Sequence, residues 1–351
     1  MPDKKHGLGK IDPAFFAKVI YPRLGAKNSS VIVGPASGVD FGAIDLGSDV
    51  LVMSTDPFFI QPSLGWERAA WFAVHILASD VAVSGIPPRF MAVDLNLPPQ
   101  VSDSDIRKIW SAVDRECKNM GISVITGHTA RYAGCSFPMV GGGTVFGIGP
   151  KEKLIIPRAR AGDSIIVTKG AAIEATGLMA VQFPEFLEER FGKAFVRKAK
   201  DVFYQMSTVE DALTAASVEG VTAMHDATEC GVLGGLFEIA GHSGVGMRIH
   251  KDKIPVQDVV RKTCGFFGLD PYISISEGTL LATAAPESAE KIVAALGRKG
   301  IGAGIVGEVT GRGEGIMLLE NGNESRIGHP GVDPFWARFE EFLGKQGKKQ
   351  I

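Results

Sequence analysis

Four acidic residues stand in matching surroundings along this chain of 351 residues. Asp40 sits in "GPASGVDFG", Asp56 in "VMSTDPFF", Asp80 in "LASDVAVSG", and Asp226, with Glu229 close behind it, in "MHDATECG". Each follows or ends an apolar run and has small neighbours, the setting in which a carboxylate faces a cleft unobstructed. Carboxylate oxygens are what a hard cation such as Mg2+ takes, usually one or two per ion, with water and substrate phosphates completing the shell. A single aspartate of this kind also reads as a cap on a helix or turn. Four in the same context point to shared chemistry. Asp80 is the hardest to read as a cap, because it lies inside a helical stretch of Ala, Val, Leu and Ile. An unpaired carboxylate there is costly to desolvate, so it needs a partner or an ion.

The stretch "VITGHTARYAGCSFPMVGGGTVFGIG" puts His128 in what reads as a tight turn between two strand-like runs, and then spends Gly141, Gly142 and Gly143 on the second run. The plain reading of an imidazole there is a turn histidine satisfied by its neighbours. "VTKGAAIEATG" follows a strand and opens a helix, which offers Lys169, Gly170 and nearby amides to an anion. The same segment also reads as an ordinary strand-to-helix turn. No GxxxxGK[ST] phosphate loop occurs, and Lys10 in "GLGKID" lacks the Ser or Thr that would follow it there.

The elements that must position these groups are legible from periodicity. Strand-like runs fall at 31–33, 50–54, 90–97, 122–126 and 139–148, with helices over 66–84 and from about 102 to Gly121. That pattern predicts a sheet with helices over one face. "IIPRARAGDSIIVTKG" reads as a boundary, dividing the chain into domains at 1–156 and 157–345, with 346–351 a frayed, solvated tail. Beyond the boundary, strands are expected at 165–168, 246–249, 279–284, 304–309 and 316–320. Helices are expected at 174–181, 188–204, 209–217, 231–242, 256–266 and 288–298. The elements interleave without regular βαβ alternation, so the expected class is α+β with mostly antiparallel or mixed sheets.

Bulk properties bound the function. Lys and Arg number 37 against 39 Asp and Glu, a net charge of −2, so nothing global recruits nucleic acid or an anionic membrane. No apolar run is long enough to span a bilayer, and "MPDKKHGLGK" lacks the apolar stretch of a secretory signal. A cytoplasmic protein is expected. Cys117, Cys135, Cys230 and Cys264 form no CxxC pair, which indicates neither a disulfide framework nor a structural zinc site.

"LVMSTDPFFIQP", "LASDVAVSGIPPRFMAVDLNLPP", "GISVITGHTA", "DSIIVTKGAAIEATG", "MHDATECGVLGGLFEIA" and "SISEGTLLATAAPESAEKIVAALGRKGIGAGIVGEV" occur in the order of motifs of the aminoimidazole ribonucleotide (AIR) synthetase superfamily. The chain resembles this PurM-like superfamily from about residue 10 to 320, and is most similar to the hydrogenase-maturation carbamoyl dehydratases of HypE type and AIR synthase-related proteins beside them. The resemblance implies a two-domain PurM-like fold: an N-terminal ATP-binding domain whose sheet closes a barrel with a second copy in a homodimer, and a C-terminal α+β domain. ATP and Mg2+ would lie in the cleft between them. It implies an enzyme in which ATP phosphorylates an amide or carbonyl oxygen, on a small molecule or a protein-bound group, and that oxygen departs as phosphate. Such catalysis is largely positioning and charge neutralisation. Phosphotransfer of thiamine-monophosphate-kinase type and a non-catalytic nucleotide-binding scaffold are the alternatives.

Matched by motif, Asp40, Asp56, Asp80 and Asp226 would be metal ligands, with Asp80, Asp226 and His128 catalytic. Lys10, Asp56, Thr129, Lys169, Gly170 and Glu229 would contact the nucleotide; for Lys10 a solvated arm is the other reading. Three departures stand out. "GHT" at Gly127–Thr129 replaces the "GDT" of hydrogenase-maturation relatives; imidazole prefers softer ions than Mg2+, so the resemblance implies for His128 a phosphate contact as imidazolium or an acid/base role beside a substrate. "ECG" replaces "EGG" and puts Cys230 at a helix start, as a low-pKa thiol or as a small buried residue. HypE-type dehydratases end in Pro-Arg-x-Cys, whereas this sequence ends "KKQI". The expectation is another substrate, or a thiol supplied in trans.

Overall fold

The computed structural model describes residues 13–349. After helix α1 (Pro13–Val19), the first half builds a six-stranded sheet from β1 (Val31–Val33), β2 (Gly42–Asp45), β3 (Asp49–Phe59), β4 (Phe90–Leu97), β5 (Ser123–Arg131) and β6 (Met139–Pro150). The spatial order is β1-β2-β3-β6-β4-β5, antiparallel except for the parallel pair β4 and β5. Helices α2 (Trp66–Ala82) and α3 (Asp103–Met120) supply its apolar cover. In β4, Met91, Val93, Leu95 and Leu97 are buried while Asp94 stays exposed, the alternation of a sheet covered on one face. The ends of α3 fall where its caps dictate. The Ser102 side chain accepts from the Asp105 amide, and Gly121 ends the helix in the left-handed region.

The glycine run in β6 exists for close approach. A Cβ on Gly141 would strike the Asp94 carbonyl of β4, and one on Gly143 would strike Leu77 of α2. Gly143 is in register with both Asp56 of β3 and Val93 of β4, so it lets α2 settle onto the middle of the sheet.

The second half builds a seven-stranded mixed sheet in the order β13-β12-β9-β11-β7-β10-β8. Its strands are β7 (Ser164–Thr168), β8 (Val221–Asp226), β9 (Gly246–His250), β10 (Leu280–Ala284), β11 (Ala303–Thr310), β12 (Ile316–Glu320) and β13 (Asn323–Ile327). Its helices are α4 (Ile173–Gln182), α5 (Pro184–Phe191), α6 (Lys193–Asp201), α7 (Val209–Ala216), α8 (Gly231–Ser243), α9 (Asp258–Phe267), α10 (Pro286–Arg298) and α11 (Pro334–Lys349). The two halves share an apolar cluster: Trp71 and Phe72 of α2 each place their rings 5.8 Å from that of Phe203. Among the described residues, no helix is long and apolar enough to cross a membrane.

Several expectations are corrected. The helix expected over 188–204 is α5 and α6, broken at Gly192, whose φ of 82° ends the first helix. The segment expected to fray belongs to α11 as far as Lys349. Phe342 of that helix packs its ring 4.7 Å from Phe267, which anchors the element. Strands β2, β8 and β13 went unread, the last because its buried-face signal is absent: four of its five residues are exposed. His128 lies inside β5, not in a turn.

Candidate functional site

Asp80 is enclosed in α2, and Ser54 Oγ of β3 donates to its Oδ2 across 2.8 Å. Ser54 is buried on the helix-covered face of β3, and the two-residue strand period puts Asp56 on the same face. Burial raises the Asp80 carboxyl well above the usual range, and the nearby charges of Asp40, Asp56 and Asp226 add to the rise. Those four carboxylates are therefore neighbours, three from the first half and one from the second.

Asp226 ends β8 and is fully buried. Thr208 Oγ1 donates to its Oδ2 at 3.1 Å and the Gly278 amide to its Oδ1 at 3.2 Å. Its own amide donates to Asp40 Oδ2 at 3.3 Å. Burial lifts its carboxyl to about 6, against the opposing effect of a hydrogen bond from Glu277; Asp40 pushes it up, while Lys169 and His225 pull it down. Asp40 arrives on the loop between β1 and β2, and that loop rests on α8. At Gly38, with φ 76°, a Cβ would lie 2.5 Å from the Glu238 carbonyl oxygen.

The joint between the halves runs through named polar contacts. The Thr208 amide donates to Ser79 Oγ at 2.9 Å, and His75 Nδ1 lies 2.9 Å from Ser207 Oγ. The residue before Asp226 completes the joint. His225 Nδ1 is 2.8 Å from Asp40 Oδ2 and its Nε2 is 2.8 Å from Glu238 Oε2. Burial alone would depress this imidazole, but the charge and hydrogen bond of Asp40, with those of Glu238, outweigh it and raise the ring to about 10.

Sequence reasoning missed His225, Glu238 and a second acidic group. Glu277 is buried, its Oε1 has no hydrogen-bond partner, and burial together with Asp226 raises its carboxyl well above the usual range. Its amide donates to Glu174 Oε2 at 3.1 Å, and burial pushes Glu174 up to about 8. Asp333, which accepts from the Cys230 amide at 2.7 Å, is raised by burial to about 6. The signal for Glu277 was its position in "SISEG" between two apolar runs, the same context that singled out the aspartates.

The remaining expected residues divide. Lys10 lies outside the described residues. Lys169 has its ammonium 3.0 Å from Asp211 Oδ2, 2.6 Å from the Ser207 carbonyl and 3.1 Å from the Gln205 carbonyl. Gly170 takes φ 104°, and a Cβ there would strike the Pro255 carbonyl. The amides of Lys169, Gly170, Ala171 and Ile173 all donate within the chain, as an ordinary turn requires. Glu229 is near enough to Glu174 and Asp333 to raise both. Cys230 is buried, with φ 61°. His128 Nε2 is 2.8 Å from the Tyr132 hydroxyl, and its ring helps line a cavity of about 310 Å3 with Thr55, Asp94 and Thr144. That is the open face of the first sheet, opposite Asp56, and Thr129 follows in the same exposed strand.

Hard oxygen donors with excess negative charge suit a divalent cation. Four neighbouring carboxylates meet that description, with Lys169 and His225 as the cations that offset Asp226. Among the described residues, no three His, Cys, Asp or Glu side chains form a ready-made metal cage. Mg2+ needs none, since one or two carboxylates suffice when phosphates and water supply the rest.

Fold and site together define a two-domain α+β protein with an acidic cluster assembled from both halves. The chain belongs to the AIR synthase related family: the family's N-terminal domain matches residues 38–150 and its C-terminal domain residues 160–320. It is similar to a putative hydrogenase expression/formation protein of Methanocaldococcus jannaschii, 26% identical over 90% of this chain and 92% of that one. It is also similar to the carbamoyl dehydratase HypE of Rhizobium leguminosarum bv. viciae, 28% identical over 76% of this chain and 75% of the relative. Among solved structures, E. coli HypE superposes with a TM-score of 0.69 at 24% identity, covering 81% of this chain and 87% of its own. HypE in complex with ATP gives 0.61 at 20% identity, covering 94% and 98%. AaThiL complexed with AMPPCP and TMP gives 0.64 at 20% identity, covering 84% and 90%. At these identities the likenesses establish the PurM-like fold.

Proposed function

We propose that this chain is an ATP- and Mg2+-dependent enzyme that phosphorylates an amide or carbonyl oxygen, after which that oxygen leaves as phosphate. The observation that carries the reading is the burial of Asp80 among Asp40, Asp56 and Asp226. Like charges enclosed together are costly, and a scaffold has no use for them. Relatives named carbamoyl dehydratase, and a neighbour solved with ATP, support the same reading.

On this reading Asp40, Asp56, Asp80 and Asp226 would hold the metal, which would supply charge neutralisation for the nucleotide's phosphates. Ser54 orients Asp80, while Thr208 and the Gly278 amide orient Asp226. Glu277 has an unpartnered oxygen beside Asp226 and is the group that holds the proton exchanged when an amide is activated. The reaction asks little covalent work of the protein beyond this positioning.

The active form is a homodimer. β5 is the edge strand of the first sheet, and Val124, Ile125, Met53, Met139 and Ile148 are large exposed apolar side chains on strands of that sheet. A second copy of the sheet would cover them.

Transfer to a phosphate or hydroxyl is the second reading, favoured by the AaThiL neighbour that holds AMPPCP and TMP. Product analysis of ATP turnover separates the two. Free phosphate with a dehydrated or cyclised product supports oxygen activation, whereas a stable phosphorylated product without free phosphate supports the kinase.

A further inference from the structure

A cavity of about 650 Å3 lies away from the carboxylate cluster. It opens where the chain crosses from one half to the other, between the connecting segment 152–160 and the turn that joins α7 to β8. Lys153, Arg158 and Arg160 line it. Their side chains have no hydrogen-bond or ion-pair partner among the described residues. Other cations near the joint behave differently: Lys151 is paired with Asp45 and Lys169 with Asp211. Three unpartnered cations facing one cavity form an anion site, and guanidinium forks match phosphate oxygens bidentately. Glu152 and Glu219 complete the charged lining. They favour a ligand that also carries hydroxyl or amino donors, and the volume falls in the range that encloses a small molecule.

The walls of this cavity lead to the carboxylates. Ala216 ends α7 in the lining, and at the other end of that helix Thr208 donates to Asp226 while Asp211 pairs with Lys169. Val221 and Thr222 start β8 in the lining, and Asp226 ends it. The Ile155 amide, on the connecting segment, donates to the Ser84 carbonyl just beyond α2, the helix that carries Asp80. We propose that this cleft is a second ligand site, for a phosphate-bearing metabolite of about nucleotide size, and that its occupancy is coupled to the carboxylate cluster through α7 and β8. Coupling of this kind needs only a ligand that prefers one arrangement of those shared elements.

The test is calorimetric titration with inorganic pyrophosphate and with AMP in excess EDTA. Wild type is compared with Arg158→Ser/Arg160→Ser and with Asp80→Asn. Saturable binding is expected in wild type and in Asp80→Asn, with at least about tenfold weaker binding in the double arginine variant. AMP binding more tightly than pyrophosphate assigns the nucleoside part to the Glu152 and Glu219 side; equal binding assigns the site to the phosphate alone. No saturable binding, or binding that the double arginine variant retains, overturns the proposal. So does arginine-dependent capture of hexaglutamate when neither phosphate ligand binds, because the cleft would then read an acidic peptide. For the coupling, amide exchange slowed by AMP at 217–222 is expected to extend to Asp226, and slowing confined to the turn overturns it. Because the titration is run without metal, its failure is distinct from any loss of ATP turnover in Asp80→Asn.

Discussion

His225 of the second half and Asp40 of the first half stand 2.8 Å apart, and the far side of the same imidazole meets Glu238 at 2.8 Å. One buried cation thus ties the loop bearing Asp40 to the strand bearing Asp226. Its removal would leave two carboxylates facing each other with no positive charge between them.

That tie predicts the cost of losing it. His225→Leu is expected to destabilise the protein by about 3 kcal/mol, since breaking a buried ion pair strands the partner charge. Urea denaturation measures it. A loss under about 1 kcal/mol would mean that solvent reaches Asp40 and Glu238 in the variant.

Asp80 makes the opposite prediction. Replacing it by Asn keeps a partner for Ser54 Oγ and removes a charge that Asp40, Asp56 and Asp226 oppose. Asp80→Asn is expected to be as stable as wild type or more stable by about 1 kcal/mol, as when a strained functional group is relieved. Thermal unfolding without ligand reports the sign, and a clear fall in melting temperature would contradict the crowding of these charges.

The glycines of β6 separate by position. Gly141→Ala is expected to cost about 3 kcal/mol, because its φ is 136° and a Cβ would strike the Asp94 carbonyl. Gly142→Ala places its Cβ 3.7 Å from the Asp56 carbonyl, an ordinary contact, and is expected to cost less than about 1 kcal/mol. Chemical denaturation of the pair checks the order.

Glu116 carries a pH dependence of its own. The His75 ring beside it holds this carboxyl down to about 2 from 4.5, against burial and with help from Arg115 and Asn119. A depressed carboxyl stabilises the fold above its unfolded value and loses that contribution as pH falls toward its folded one. Wild type is therefore expected to exceed Glu116→Gln in stability above pH 4.5, with the advantage lost between there and about 2. A constant difference across that range would contradict the contact.

Much of this arrangement was legible from local pattern. Strand β4 and helix α3 fall on their expected limits, because alternation in one and caps at Ser102 and Gly121 in the other are written in adjacent residues. The four aspartates stand out in the sequence because small neighbours mark them. His225 and Glu238 do not, because a histidine in an apolar strand and a glutamate on a helix become partners of Asp40 only when the halves meet. His128 was misplaced for a similar reason. The "TGHT" segment reads as a turn in isolation, while pairing with β4, where Asp94 faces His128, holds it extended.

Equilibrium binding of ATP with and without Mg2+, wild type beside Asp80→Asn and Asp56→Asn, bears most directly on the acidic cluster as a cation and nucleotide site. Mg2+ is predicted to tighten ATP binding to wild type, and each variant is predicted to lose at least about tenfold in affinity, roughly 1.4 kcal/mol, while staying folded. Folded variants that bind ATP with the wild-type Kd and the wild-type response to Mg2+ would contradict it.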